Sequence, residues 1–514
     1  VSVGTEGKKV STARQSLLGK ARSRPDLVKQ VIQTAQREGI QATYQKVMNR
    51  LDEPTSLGYS AAGTVIAVGR YVSDFSVGDR VACGGEGAAH AEVMAVSVNL
   101  CAKIPTEVPF DQAAFATVGA IALQGVRQAS ITLGESVAVI GLGLVGQLTV
   151  QLLKANGCRV FGVDLDPTKI QIAQDSGADQ AILRSDPNLL SAIHQFSRGF
   201  GVDAVLITAA TSSNDPAELA VELCRDRGRI VVVGDVRMDF PRNSCYYKEL
   251  EIKLSRSYGP GRYDPLYEER GVDYPIGYVR WTEQRNMEAF LDLLASGQLD
   301  LRQLITHRLP FEQAEEAYDL LAGKSPHGAP LGIVFEYDVA EVVSTAPVYS
   351  SVNNRPPATL AAPKDKLGIG FIGAGSFARK YLIPAVARYP HAQLVGVCTA
   401  TGISGENTVR KFGFDYSTGD YRQLIEDAEI HAIFIATRHR LHAQLVHDAI
   451  AAGKAVFVEK PLALGWEELD SVIQVVEECL VSDVEHHLGY AQVLQVGFNR
   501  RFAPLVQSAS QVLH

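Results

Sequence analysis

The sequence lacks most of what would direct a protein to a membrane, to nucleic acid or into a disulfide-built scaffold. No apolar run reaches membrane-spanning length, and no segment reads as a signal peptide. There is no excess of basic residues. The net charge is −8 and no basic stripe runs along the chain, which argues against nucleic acid as a partner. Cysteine is scarce and scattered. The seven residues (Cys83, Cys101, Cys158, Cys224, Cys245, Cys398 and Cys479) are odd in number and without C-x-x-C spacing. That pattern argues for reduced thiols in a cytoplasm rather than disulfides or a zinc knuckle. An initiator Met is missing before Val1, and the chain stops just after an arginine-rich motif, so both ends read as cut.

What is present is globular. Hydrophobic residues make up 46% and charged residues 21% of 514, a soluble composition spread over a length that calls for several domains. The organising stretch is 135–166. A β-type run (Val137, Ala138, Val139, Ile140) breaks into Gly141-Leu142-Gly143-Leu144-Val145-Gly146, a helical pattern follows, and a second β run ends at Asp164. In this strand–turn–helix–strand setting a G-x-G-x-x-G is a dinucleotide fingerprint. Gly141 permits the turn, Gly143 lets backbone amides approach a pyrophosphate, and Gly146 lets the helix pack on the strand with its N-terminus toward the negative charge. Asp164, eighteen residues past Gly146, is placed to accept hydrogen bonds from an adenosine ribose. A 2′-phosphate would meet like charge there, so NAD is favoured over NADP. Leu144 and Val145 complete the turn, and Thr208 and Gly234, at the ends of two later strands, should line the same crevice.

Around this unit the first half divides further. Residues 1–9 read as the end of a strand, and helical patterns follow through 41–51. From Leu57 short β runs with glycine punctuation (57–69, 77–85 and 91–96) predict a small β-barrel-like domain, and 117–128 a helix. Residues 255–290 pack tyrosines, arginines, Trp281 and acids around Gly259-Pro260-Gly261. Such a stretch binds a polyhydroxylated ligand or a partner subunit, or else is a folded surface extension.

The string from Leu57 to Val81, the helix after it and the glycine turn resemble the medium-chain alcohol dehydrogenase superfamily, in order, to about Tyr337. The resemblance implies a GroES-like domain over 1–129, completed by about 285–337, and a Rossmann domain over 130–284. Zinc-dependent members hold their metal through Cys, His, Glu and Cys. The matching positions here are Val3, Tyr59, Ser60 and Val118, and the four-cysteine structural zinc lobe is missing, so no zinc is expected. Cys83, Glu86 and His90 offer a makeshift metal set, against the plainer reading of two loop residues and a buried thiol. Thr5 matches the family's proton-relay hydroxyl, with Glu6 and Tyr59 in the same cleft. Tyr59 either donates a proton to a carbonyl oxygen or fills the volume of the missing metal.

Residues 338–366, rich in Ser, Pro, Ala and Asn, read as a linker. The alternation then restarts over 367–485, with Gly373-Ala374-Gly375-Ser376-Phe377-Ala378 as a second fingerprint. The following strand ends without an acid, at Cys398-Thr399-Ala400-Thr401, so this site admits NAD or NADP, and the Thr399 hydroxyl would tolerate a phosphate. The strings 432–464 and 496–502 resemble the glucose-fructose oxidoreductase/inositol dehydrogenase (Gfo/Idh/MocA) family. That resemblance makes Glu459-Lys460-Pro461 its EKP signature, with Lys460 catalytic, Pro461 often following a cis peptide, and Thr437 and Glu459 beside the cofactor. His439 and His442 stand three apart; the resemblance assigns the histidine to orienting a helix rather than to a metal. Residues 486–514 would begin a truncated substrate domain, which makes turnover at the second module doubtful.

The fold class expected is thus α/β: a partial GroES-like β-barrel domain plus two Rossmann, doubly wound parallel-sheet domains. The expected activity is NAD(P)-dependent hydride transfer between nicotinamide and a secondary alcohol or ketone. A sugar or sugar nucleotide of polysaccharide metabolism is the substrate the resemblance suggests, with a homo-oligomer as the assembly. Two alternatives stay open: a zinc-free enone or quinone reductase with a regulatory second module, and a non-catalytic NAD(H) sensor or scaffold.

Overall fold

The structure, a computed structural model, describes residues 25–39, 56–69, 71–321, 330–338, 352–353, 366–486 and 493–503, with single positions 4, 6, 7, 10, 19, 43, 47 and 507. Two compact units divide the chain: Val1–Pro25 with Ser56–Ala340, and Asp26–Thr55 with Glu341–His514. Thr5, Val3 and most of 41–51 lie outside the described residues.

In the first unit an antiparallel three-stranded sheet, β1 (Ser60–Thr64), β2 (Arg80–Gly84) and β3 (Cys101–Lys103), precedes the helix Ala116–Gln128. The third expected β run is not a strand. Residues 91–96 form bends and coil, because the chain is drawn against Gly87, where a Cβ would stand 2.7 Å from the Ala95 carbonyl oxygen. A ladder partner is therefore replaced by a close backbone approach.

Next come β4 (Ser136–Ile140), β5 (Arg159–Asp164), β6 (Gln180–Leu183), β7 (Val202–Ile207), β8 (Cys224–Val232) and β9 (Glu251–Leu254). They form one parallel sheet in the order β6-β5-β4-β7-β8-β9. Both faces are covered, so the central strands are apolar throughout; Val137, Ala138 and Val139 have no exposed surface. Each such Val contributes about 1.5–3 kcal/mol through burial. The order reverses at β4/β7, which leaves a crevice at the strands' carboxyl ends. A parallel pair, β10 (Ile305–Pro310) and β11 (Gly332–Glu336), closes the unit.

The second unit repeats the plan. Its strands are β12 (Val352–Asn353), β13 (Leu367–Ile372), β14 (Ala392–Cys398), β15 (Tyr416–Thr418), β16 (Ala432–Ile435), β17 (Ala455–Glu459) and β18 (Leu494–Gly497). Their order is β12-β15-β14-β13-β16-β17-β18, parallel except for β12. Register places Phe371, Phe434 and Phe457 side by side on β13, β16 and β17, with ring centroids 4.9 and 5.0 Å apart. This offset stack covers one face of the sheet next to the switch point.

Candidate functional site

The two glycine turns are built alike. In the first, Gly141 has φ +94, and a Cβ there would lie 2.6 Å from the Ala209 amide nitrogen. Gly146 is tighter still, with its hypothetical Cβ 2.0 Å from the Gly141 carbonyl oxygen. Gly143 between them has no neighbouring atom within 4 Å of that position. The helix Leu144–Ala155 begins at Gly143 with no side chain capping its first amides. Two glycines are thus demanded by the protein's own packing, while the middle one faces open space where uncapped N–H groups point. In the second turn Gly373 has φ +93 and a Cβ there would meet the Ala436 carbonyl oxygen at 2.5 Å, whereas Gly375 again has nothing within 4 Å. Ala378 is buried under the helical segment, and Gly375, Ser376 and Phe377 are exposed. Both cradles have the shape and the donors that a pyrophosphate needs.

The walls of the first cradle are tied to it. The Thr208 hydroxyl donates to the Gly141 carbonyl at 2.5 Å, and a Cβ on Gly234 would stand 2.0 Å from the Ala209 carbonyl oxygen. Asp164 ends β5 and accepts from the Leu142 amide at 2.6 Å through Oδ2. Its Oδ1 accepts from the Leu165 and Asp166 amides at 2.8 and 3.0 Å. A carboxylate has about four acceptor sites, so it fixes the turn and keeps capacity for a hydroxyl donor. Leu144 is buried behind the turn and Val145 half-buried beside it.

At the second cradle Thr399 is buried, and its hydroxyl donates to the Thr401 carbonyl at 2.8 Å. Thr437 follows β16, and its carbonyl lies 3.2 Å from His442 Nε2. His442 has no exposed surface, and its Nδ1 donates to the Pro461 carbonyl at 2.7 Å. The ring therefore bridges the ends of β16 and β17, with both of its nitrogens turned to backbone carbonyls. His439 stands exposed beside it. The Lys460–Pro461 peptide is cis, Lys460 is exposed and Glu459 is buried. A pocket of about 490 Å³ opens there, lined by Phe377, Tyr381, Phe457, Glu459, Phe498 and Asn499 among others.

In the first unit Tyr59 is half-buried against the core, and the neighbouring Ser60 hydroxyl donates to the Ala114 carbonyl at 2.6 Å. Val118 is buried within its helix. Buried Glu6 lies 3.4 Å from His90 Nε2 and accepts from the Tyr318 hydroxyl at 3.5 Å. Burial, with the Glu6 charge, pushes Tyr318 well above the ordinary phenol range. Cys83, Glu86 and His90 do not gather: Cys83 faces Cys101, His90 faces Glu6, and Glu86 is exposed.

Part of the aromatic stretch folds inward, while Tyr263 and Tyr278 stay exposed. Tyr258, Tyr267 and Glu283 are buried, and Tyr274 stacks on Tyr267 at 5.4 Å. Gly261, at φ +109, wraps Glu283 so closely that a Cβ would stand 2.9 Å from its Oε1. Neither Glu283 oxygen, nor the Tyr258 or Tyr267 hydroxyl, makes a hydrogen bond of good geometry, although the Tyr258 hydroxyl faces Glu283 closely enough to favour its charged form. Desolvation pushes the Glu283 carboxyl up to about 8. Nothing in the spacing of the sequence marks this residue out.

Three families match successive parts of the chain. Residues 27–106 match the alcohol dehydrogenase GroES-like domain, 145–269 the family described as zinc-binding dehydrogenase, and 367–481 the oxidoreductase family with an NAD-binding Rossmann fold. Among curated proteins, the "Probable D-xylulose reductase A" of Aspergillus terreus is 26% identical over 308 residues, covering 53% of this chain and 80% of its own length. Sorbitol dehydrogenase of Bacillus subtilis is 26% identical, over 52% of this chain and 78% of its own. D-guloside 3-dehydrogenase of Shigella flexneri is 27% identical, over 54% and 77%.

One of these descriptions implies zinc, and the residues present do not suit it. Valine offers no lone pair at position 118, and neither Tyr59 nor Ser60, whose hydroxyl is already committed, is a usual ligand. Among the described residues, no three His, Cys, Asp or Glu side chains are grouped to hold a metal ion. No helix among them is long and apolar enough to cross a membrane.

Proposed function

We propose a reaction for a chain that fuses an alcohol dehydrogenase-like half to a Gfo/Idh/MocA-type Rossmann domain and is an oxidoreductase acting on CH–OH groups. The reaction is reversible hydride transfer between a nicotinamide and a secondary alcohol or ketone of a polyhydroxylated substrate, a sugar, polyol or sugar nucleotide. The observation that carries it is the pair of glycine turns, each with an outer glycine forced by packing and a middle glycine facing open space. The names of the xylulose, sorbitol and guloside relatives support the substrate class.

In the first cradle the amides after Gly143 bind a pyrophosphate, and Asp164 accepts from a ribose hydroxyl while its charge repels a 2′-phosphate. NAD is therefore its cofactor. The second cradle has no such acid at the end of β14, which leaves room for NAD or NADP. When bound, the dinucleotide supplies or accepts the hydride. Lys460, exposed at the end of β17 beside Glu459, takes the proton of the substrate hydroxyl. The aromatic faces of Phe377, Tyr381 and Phe498 suit the apolar faces of a sugar ring. In the first unit Tyr59 donates to the carbonyl oxygen without zinc, since the donor set favours none. Thr5 would relay that proton. Seven free cysteines support a reducing, cytoplasmic setting.

A panel of polyols and sugars, assayed with NAD and NADP against wild type and Lys460→Ala, tests the reading. Loss of turnover with retained NADH binding supports Lys460 in the reaction. Equal rates remove it, and leave the second cradle as a binding module.

A further inference from the structure

Cys83 and Cys101 are direct cross-strand partners in the antiparallel β2–β3 pair, with their sulfurs 3.8 Å apart. Directly opposed residues of an antiparallel pair have Cα atoms about 4.5–5.5 Å apart, within the span that a disulfide bridges. The two thiols are also chemically unequal. The Cys83 thiol hydrogen-bonds Cys101, which holds Cys101 below the ordinary thiol range and, with burial, holds Cys83 above it. The pair is tied to the cleft on both sides. The Cys83 carbonyl accepts from the Thr117 hydroxyl at 3.3 Å, and Cys83 itself lies opposite Ala61, two positions from Tyr59. The Cys101 carbonyl accepts from the Gln284 amide at 2.7 Å.

We propose that Cys83 and Cys101 form a reversible oxidation site for a small hydroperoxide, and that closing it shifts the β1–β2 strands beside Tyr59. Cys101, as thiolate, attacks one oxygen of hydrogen peroxide; the O–O bond breaks, the second oxygen leaves as hydroxide and takes up a proton as water, and a sulfenic acid remains on Cys101. The Cys83 thiol then attacks that sulfur, and the sulfenic oxygen leaves as a second water. Two thiols are oxidised to one disulfide and one peroxide is reduced to two waters. Bond formation draws the sulfurs from 3.8 Å to about 2.05 Å, a movement that β2 transmits to Thr117 and to the strand after Tyr59. Cys101, the attacking sulfur, is buried and Cys83 half-buried, which suits a small peroxide as oxidant and hinders a bulky disulfide.

The test is stepwise peroxide treatment of the full chain, followed by peptide mapping and by hydrogen exchange over 58–62. The expected result is a linked Cys83–Cys101 peptide formed before any other cysteine changes, reversed by dithiothreitol, with altered exchange at Tyr59–Ala62. Cys83→Ala and Cys101→Ala should each abolish the link and the exchange change; using both guards against one variant failing to fold. Oxidation of another cysteine first, independent sulfinic acids at 83 and 101, or a link without altered exchange would overturn the proposal.

Discussion

Glu283 should make the first unit lose stability as the pH rises from about 4.5 to about 8. Its carboxyl is fully buried, neither oxygen makes a hydrogen bond of good geometry, and the pH at which it ionises is raised to about 8 from the ordinary 4.5. Desolvation is the main cause. The neighbouring Glu268 adds to it, while Tyr258, Arg262 and Arg256 oppose it. Between these values the folded state holds one proton more than the unfolded chain, so stability falls with rising pH. The contribution is complete below 4.5 and is lost progressively up to about 8, where the folded carboxyl also ionises and the dependence flattens. One proton corresponds to about 1.4 kcal/mol per pH unit, and the whole window to a few kcal/mol. Glu283→Gln keeps the shape and removes the titration. Denaturant melts of wild type and Glu283→Gln, followed by Trp fluorescence from pH 5 to 9, should diverge by about 1.4 kcal/mol per pH unit between roughly 5 and 8, with the variant more stable at the alkaline end. Trp281 serves as the probe because it lies in the same segment, with the Arg127 and Arg280 guanidiniums 3.3 and 3.8 Å from its ring. Parallel curves for the two proteins would refute the reasoning.

Other substitutions separate packing from binding. Gly146→Ala places a Cβ 2.0 Å from a backbone oxygen and should cost about 1–3 kcal/mol or more, read as a lower thermal midpoint. Gly143→Ala fills open space, so its stability should stay within about 0.5 kcal/mol of wild type while NADH affinity falls. His442→Ala removes the bridge between the Thr437 and Pro461 carbonyls and should cost about 2–3 kcal/mol in a melt of the second unit.

The two Rossmann sheets were legible because buried parallel strands are continuous apolar runs, and because each turn's glycines follow a strand and open a helix. Gly141, Gly146 and Gly373 are where a local steric demand leaves a mark on the sequence. Residues 91–96 misled because alternation alone cannot distinguish a strand from an extended segment pressed on Gly87. The Cys83–Cys101 pairing and the Glu283 pocket were hidden for another reason. Each depends on register or burial set by residues far along the chain, and neither leaves a local pattern. The Thr399 hydroxyl, read as tolerating a phosphate, also donates to the Thr401 carbonyl, a bond between near neighbours that composition does not reveal.

The central claim is that one chain carries two separate dinucleotide cradles. Calorimetric titration of NADH into the intact protein tests it most directly. The account predicts two molecules bound per chain, with one site lost in Asp164→Ala and the other in Gly375→Val. A single site in the wild type, abolished by Asp164→Ala alone and with no second site filled by NADPH, would contradict it.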